Sequence, residues 1–442
     1  MIRHIFEPIQ RWRSFSTPVQ TLLLSFLGVA LGFYMLIPFL SQYMNNDLRL
    51  TAKVIGLILG LRVLTQQGMS FLGGLLSDQF GDKRIIVWGL TVRSTGMFLF
   101  GLSTGLWGLI SASLLVGFGG AMVGPNVRSF LSRHCNLDER QEAFAFFNIF
   151  GSIGMFLGPL IGFILLRASF SILACATALM YVMLALACYL VLPKVDGFSK
   201  KVLDDSPSFA PPSIWGGIRE VFRNSAFLSF CLNMMGYSFV FHQIYLVFPL
   251  ELERLTGTHW AATQFFLILS LTSIFFQYPL TVWSEKKWIP RVTIHHGFWL
   301  LGIGCLLPVL SLGFDASYSQ ALAPKLLLVL PYFIAAFLLS CGFDLIQPVW
   351  SSLVPEFDRT RKYSSTFYGF RMLIDSIAAF LGSEIGGFML DHARETNLCW
   401  LPWIVFFLVA AVSAVTVRFN RAVRIAEARL MASNDFHGDT RP

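Results

Sequence analysis

Long apolar runs alternate with short polar joints from near the first residue to near the last. A helix rises 1.5 Å per residue, so crossing a bilayer takes roughly 20 largely apolar residues. Twelve stretches reach that length, at 19–43, 54–76, 85–106, 107–130, 142–166, 168–192, 226–249, 261–283, 292–313, 325–347, 364–389 and 399–417. No polar run is long enough for a separate soluble domain. The longest joint, 193–222, carries Pro207, Pro211 and Pro212 among charges and serines, and divides the spans six and six. The expected class is an all-α membrane protein with twelve transmembrane helices. Its expected organisation is a six-helix bundle over 1–192, a cytoplasmic linker over 193–222, and a second six-helix bundle with a short basic tail over 223–442. The basic start, Met1 to Arg13, leads straight into a full-length span without a small-residue cleavage site, which reads as an anchor.

The halves repeat. Phe156-Leu-Gly-Pro-Leu-Ile-Gly-Phe163 in the fifth span aligns with Phe380-Leu-Gly-Ser-Glu-Ile-Gly-Gly-Phe388 in the eleventh. Pro125 and Pro348, in the fourth and tenth, keep nearly the same offset, and each precedes a charged joint.

Composition agrees with the pattern. Of the residues 55% are hydrophobic and 13% charged, about half the charge of a soluble domain. The net charge of +8 raises nucleic acid as a partner, but its distribution argues against that. With the N-terminus in the cytoplasm, Arg11, Arg13, Lys83, Arg84, Lys200, Lys201, Lys286, Lys287, Arg361, Lys362, Arg418 and Arg421 all fall on cytoplasmic segments. The asymmetry puts both termini inside. The expected partners are the lipid bilayer, a small-molecule substrate and protons, with no nucleic acid, and the chain is expected to act as a monomer. Seven cysteines are scattered without paired spacing, so neither a metal site nor a disulfide framework is indicated. No Walker, His-Glu-x-x-His or Gly-x-Ser-x-Gly sequence occurs, so no cofactor and no enzymatic chemistry are expected.

Between the second and third spans lies Gly74-Leu-Leu-Ser-Asp78-Gln-Phe-Gly81-Asp-Lys83-Arg84. Gly74 permits close helix approach, and Gly81 permits the reversal. Asp78 suits a neighbouring helix N-terminus, where the dipole favours a carboxylate. Lys83 and Arg84 are available as ion-pair partners. This spacing resembles the loop motif of the major facilitator superfamily, although Gln79 and Asp82 replace basic residues. The resemblance implies a secondary transporter built from parallel repeats of six spans, with substrate between the halves and this turn as a cytoplasmic latch.

In the fifth span Gly151, Gly154, Gly158-Pro159 and Gly162 make a narrow face, and Pro159 removes one helical hydrogen bond. The series resembles the glycine-proline motif of the superfamily's drug/proton antiporters, with Phe163 in place of its last glycine. Three further stretches are similar to a bacterial inner-membrane branch of those antiporters. They are Ile55 to Arg62 with Gln66-Gln67-Gly68, Tyr278 to Lys286, and Tyr368-Gly-Phe-Arg371. The resemblance implies proton-coupled efflux of amphipathic or drug-like molecules from the bacterial inner membrane. A dedicated metabolite, siderophore or lipid carrier, exporting or importing, is the alternative on the same fold. Many antiporters place an arginine in the fourth span where this chain has Ser113, so a proton carrier must lie elsewhere.

Polar residues within apolar spans are the site candidates, because a charge facing lipid costs at least about 2.5–3.5 kcal/mol. Arg62 has Gln66 one turn on, with Gln67 beside it. Arg371 and Asp375 stand four residues apart in the eleventh span, Asp344 lies in the tenth, and His242 lies in the seventh. Arg62, Gln66, Gln67 and Arg371, with the aromatics Tyr34, Tyr237 and Tyr245, are the expected cavity residues. Asp344, Asp375 and His242 are the expected proton carriers. The bland readings stand beside these: Arg371 with Asp375 as a neutralised structural pair, His242 as a packing histidine, and Arg93 and Arg128 as bracing residues nearer the cytoplasmic end.

Overall fold

The computed structural model describes residues 12, 15–134, 137–193, 214–312, 322–358 and 363–438, with the backbone alone at some helical positions, Gly74 and Asp78 among them. Most of the expected linker lies outside the described residues. Within them the regular elements are helices. The first half holds α1 (Thr17–Asn46), α2 (Ala52–Gly68), α3 (Ser70–Phe80), α4 (Asp82–Leu102), α5 (Leu106–His134), α6 (Leu137–Leu166) and α7 (Phe170–Val191). The second holds α8 (Ile214–Arg223), α9 (Ser225–Gln243), α10 (Val247–Thr256), α11 (Trp260–Lys287), α12 (Pro290–Leu306), α13 (Leu322–Leu353) and α14 (Ser364–Thr396). Two more follow, α15 (Leu401–Phe419) and α16 (Arg421–Gly438).

Among the described residues ten helices are long and apolar enough to cross a membrane by length and composition. The other two expected spans are interrupted. The second is α2 and α3, parted at Met69, where the Ser70 hydroxyl donates to the Gln66 carbonyl at 2.6 Å. The seventh is α9 and α10, parted at 244–246 by a turn of i→i+3 bonds from Ile244, Tyr245 and Leu246. Inside that turn the Gln243 amide donates to the carbonyls of Phe239 and Gly382, both at 2.9 Å. Side chains thus take up carbonyls at both breaks, as backbone polar groups in an apolar layer require.

The chain forms two compact units, Met1–Leu40 with Leu61–Ser208, and Ser41–Gly60 with Phe209–Pro442. The α1–α2 hairpin tip therefore belongs with the second unit. There the Asp391 carboxylate accepts the first backbone N–H groups of α2, from Ala52 at 2.8 Å and Lys53 at 2.7 Å. It is an N-cap supplied from another helix, satisfying two donors that α2 cannot bond itself.

The two units repeat one packing scheme internally. In the first, α4 lies along α5 and α7; in the second, α12 lies along α13 and α15. Glycines make the closest approaches in both. A Cβ at Gly158 would meet Tyr34 Cβ at 2.6 Å, and one at Gly154 would meet Ala30 Cβ at 2.6 Å, so α6 sits directly on α1. Gly382, the repeat partner of Gly158, would meet the backbone of Phe239 on α9 at 2.9 Å. α6 runs unbroken through Pro159.

Overpacking a tight contact costs about 1–3 kcal/mol or more. Gly158→Ile and Gly382→Ile should each lower the thermal unfolding temperature of detergent-purified protein by several degrees. Gly124→Ala, where a Cβ meets nothing within 4 Å, should leave that temperature unchanged or raise it.

Candidate functional site

In the second unit α14 carries Arg371 and Asp375 one turn apart on the same face. Arg371 Nε lies 3.4 Å from Asp375 Oδ2, and Nη1 donates to Ser351 Oγ at 3.1 Å. The guanidinium carbon sits 3.8 Å from the centroid of a Trp350 ring, a cation–π contact. Asp375 Oδ1 is buried and has no hydrogen-bond partner among the described residues. The pair is close but loosely bonded.

Asp344, on α13, is held differently. It is 8% exposed and accepts from Ser273 Oγ at 2.9 Å and Ser340 Oγ at 3.4 Å. Ser340 also reaches the Leu269 carbonyl at 3.0 Å. Its partners among the described residues are hydroxyls. Tyr237 stands edge-on to Trp350 at 5.3 Å and to Phe343 at 5.2 Å, within electrostatic reach of Arg371, Asp344 and Asp375. Four of the expected residues thus gather around one aromatic wall. Tyr245 is buried farther along, stacked on Phe266 at 5.7 Å. His242 is buried, and its Nδ1–H donates to the Ser238 carbonyl at 2.8 Å, which fixes the tautomer.

In the first unit Arg62 is buried and its Nη1 donates to Gln66 Oε1 at 3.1 Å. Gly117 and Gly120 of α5 make room for this turn of α2. A Cβ at Gly120 would come within 2.9 Å of the Gln66 amide carbon. Gln67 and Tyr34 are half-buried, Tyr34 edge-on to Phe33 at 5.1 Å. The Arg62 guanidinium lies 5.1 Å from the Phe33 centroid.

Arg93 joins it there. Its guanidinium is 5.3 Å from Phe33 and 5.3 Å from Tyr181, whose hydroxyl donates to the Val29 carbonyl at 2.8 Å. It is 4% exposed, and its Nε has no hydrogen-bond partner. The sequence reading made Arg93 a brace nearer the membrane edge. It stands eleven residues into α4, about 16 Å along the helix from Asp82.

At the turn between α3 and α4, Gly81 adopts φ 86°, where a side chain would be strained. Asp82 opens α4, and the Ser77 hydroxyl donates to its carboxylate. Lys83 donates to the Leu192 carbonyl past the end of α7 and lies 5.5 Å over the Tyr189 ring. The described carboxylate at this helix N-terminus is that of Asp82. The side chain of Asp78 and residue Gly74 lie outside the described side chains, and Arg84 is exposed. Among the described residues no cluster of histidine, cysteine and acids could hold a metal.

Residues 22–383 match the family model described as Major Facilitator Superfamily. The chain is 30% identical over 409 residues to an uncharacterized MFS-type transporter, Rv0849, of Mycobacterium tuberculosis, covering 92% of this chain and 94% of that one. It is 27% identical over 413 residues to multidrug resistance protein MdtH of Photorhabdus laumondii, covering 93% and 96%. MdtH of Yersinia pestis is 28% identical over 418 residues. Among solved structures, a peptide transporter POT in complex with sulfate superposes with a TM-score of 0.73 at 16% identity, covering 96% of this chain and 99% of that one. The nucleoside transporter NupG gives 0.67, also at 16%, covering 91% and 98%. At such identities these two likenesses speak for the fold.

Breaking a buried ion pair costs about 3–5 kcal/mol, because the survivor is left uncompensated. Asp375→Asn should therefore lower the unfolding temperature more than Arg371→Gln and Asp375→Asn combined. A double-mutant cycle by thermal unfolding in detergent should give a coupling of about 0.5–3 kcal/mol.

Proposed function

Because the chain belongs to the major facilitator superfamily and is a multi-pass membrane transporter, we propose that it exports small amphipathic molecules in exchange for protons. Residues 1–192 and 223–442 would rock in alternating access, in a bacterial inner membrane with both termini cytoplasmic. The multidrug resistance relatives at 27–28% identity support efflux, and the one-sided lysines and arginines support the orientation.

Proton handling rests on Asp344. A carboxylate held by hydroxyls can be satisfied in both protonation states, because a hydroxyl both donates and accepts. Ionised, Asp344 accepts from Ser273 and Ser340. Protonated, it donates to Ser340 Oγ while that hydroxyl donates to the Leu269 carbonyl. Neither state leaves a buried polar atom stranded, so a proton can come and go without breaking the packing. Asp375 serves as second acid. Its release from Arg371 would couple the proton to cargo arriving on the Tyr237–Trp350 wall. His242, whose Nδ1–H donates to the Ser238 carbonyl, stands as a further candidate to carry a proton. Asp78, with Gly74, Gly81, Lys83 and Arg84, is the cytoplasmic latch.

The test is reconstitution into vesicles holding a pH-sensitive dye, with lipophilic cations and amphipathic anions offered in turn. Several unrelated solutes should move protons, whereas a response to one solute alone would make the protein a dedicated metabolite, siderophore or lipid carrier. Asp344→Asn should abolish solute-driven proton movement while solute still binds; persistence of coupling would remove Asp344 from the mechanism. Asp78→Ala should slow flux severalfold at unchanged membrane abundance, and unaltered flux would dismiss the latch.

A further inference from the structure

Proton handling in the second unit assigns no task to the two arginines buried in the first. Arg62 and Arg93 come from different helices, α2 and α4, and bring their guanidinium groups to the same ring, at 5.1 and 5.3 Å from the Phe33 centroid. Two like charges so placed lie within about 10 Å of each other and repel in a medium of low dielectric. A structural arginine at this depth is normally held by a carboxylate or by carbonyls. Arg93 has neither among the described residues; its contacts are ring faces, and its Nε is shut in without an acceptor.

A guanidinium presents its N–H groups as a planar fork, which is the geometry that grips a two-oxygen anion. Gln66 adds a further donor. Its oxygen accepts from Arg62, while its amide nitrogen makes no hydrogen bond to a described residue. Phe33, Tyr34 and Gln66 are only half-buried, so the group has an approachable side that is aromatic and amide in character.

We infer that Arg62, Arg93 and Gln66 form a binding site for the carboxylate, sulfonate or phosphate group of an organic anion whose apolar body lies against Phe33 and Tyr34. The inference rests on the reading of the chain as a transporter of amphipathic molecules and narrows their class. It makes anions, and not lipophilic cations, the solutes held by the first unit.

Binding to purified full-length protein in nanodiscs tests this without any flux, so its failure is separate from a failure of proton exchange. The probes are naphthalene-2-sulfonate, the uncharged 2-naphthylmethanol and naphthyl-trimethylammonium, titrated by calorimetry. The sulfonate should bind at least tenfold more tightly than either of the others. Arg93→Gln should weaken it tenfold or more and leave 2-naphthylmethanol unchanged. Arg93→Lys, which keeps the charge but loses the fork, should fall between, and it serves if Arg93→Gln does not fold. Equal binding of the ammonium and the sulfonate would overturn the site. So would a sulfonate affinity unmoved in Arg93→Gln or, should that variant not fold, in Arg93→Lys.

Discussion

A charge or an open backbone bond inside a bilayer has no water to turn to, and the architecture of this chain follows from that shortage. Where α2 begins, its first amides are met by Asp391 from α14. Where α2 and α9 break, Ser70 and Gln243 take up carbonyls. Glu251, on α10, is 3% exposed and is gripped by Arg254 at 2.8 Å and Arg394 at 3.1 Å. Against this background the groups that are not fully matched stand out. Asp375 Oδ1 and Arg93 Nε are enclosed without a hydrogen-bond partner among the described residues, as are the Nε atoms of Arg371 and Arg394.

The same constraint explains the glycines. Helices in lipid gain little from burying apolar side chains against one another, so contact must come from close backbone approach. Gly154, Gly158 and Gly162 bring α6 onto α1, and Gly382 brings α14 onto α9. The sequence repeat near Phe156 and Phe380 is the imprint of this shared contact. It was visible because a glycine packed on backbone tolerates no substitute, while the leucines around it are interchangeable.

Legibility therefore differed by residue. Spans, glycine faces and the Arg371–Asp375 pair rest on run length and helical spacing, which a sequence carries directly. The interruption of the second span has a local signal in Gly68; that at 244–246 has none, being set by Gln243 reaching Gly382 across to α14. Lys83 reads as a potential ion-pair partner, yet it caps the end of α7 at Leu192, 109 positions away in the chain. Arg93 reads as a brace toward the cytoplasmic end, and no pattern announces that Phe33 and Tyr181 will face it. Partners distant in sequence are the information that periodicity lacks.

Cargo charge decides what drives the cycle. Exchanging one proton inward for one monovalent cation outward moves no net charge, so only the pH difference drives it. Exchanging the same proton for a monovalent anion moves two charges, each driven by about 2.3 kcal/mol per 100 mV across the membrane. Together that is about 4.6 kcal/mol per 100 mV, enough for an exporter to work against a steep gradient with no pH difference at all. An arginine pair in one unit and protonatable acids in the other would then be complementary parts of one electrical device. With an anionic cargo, the arginines would lower the cost of carrying its charge into the apolar layer. Asp344, if neutralised in place by its proton, would let the return step proceed without dragging a bare carboxylate through it.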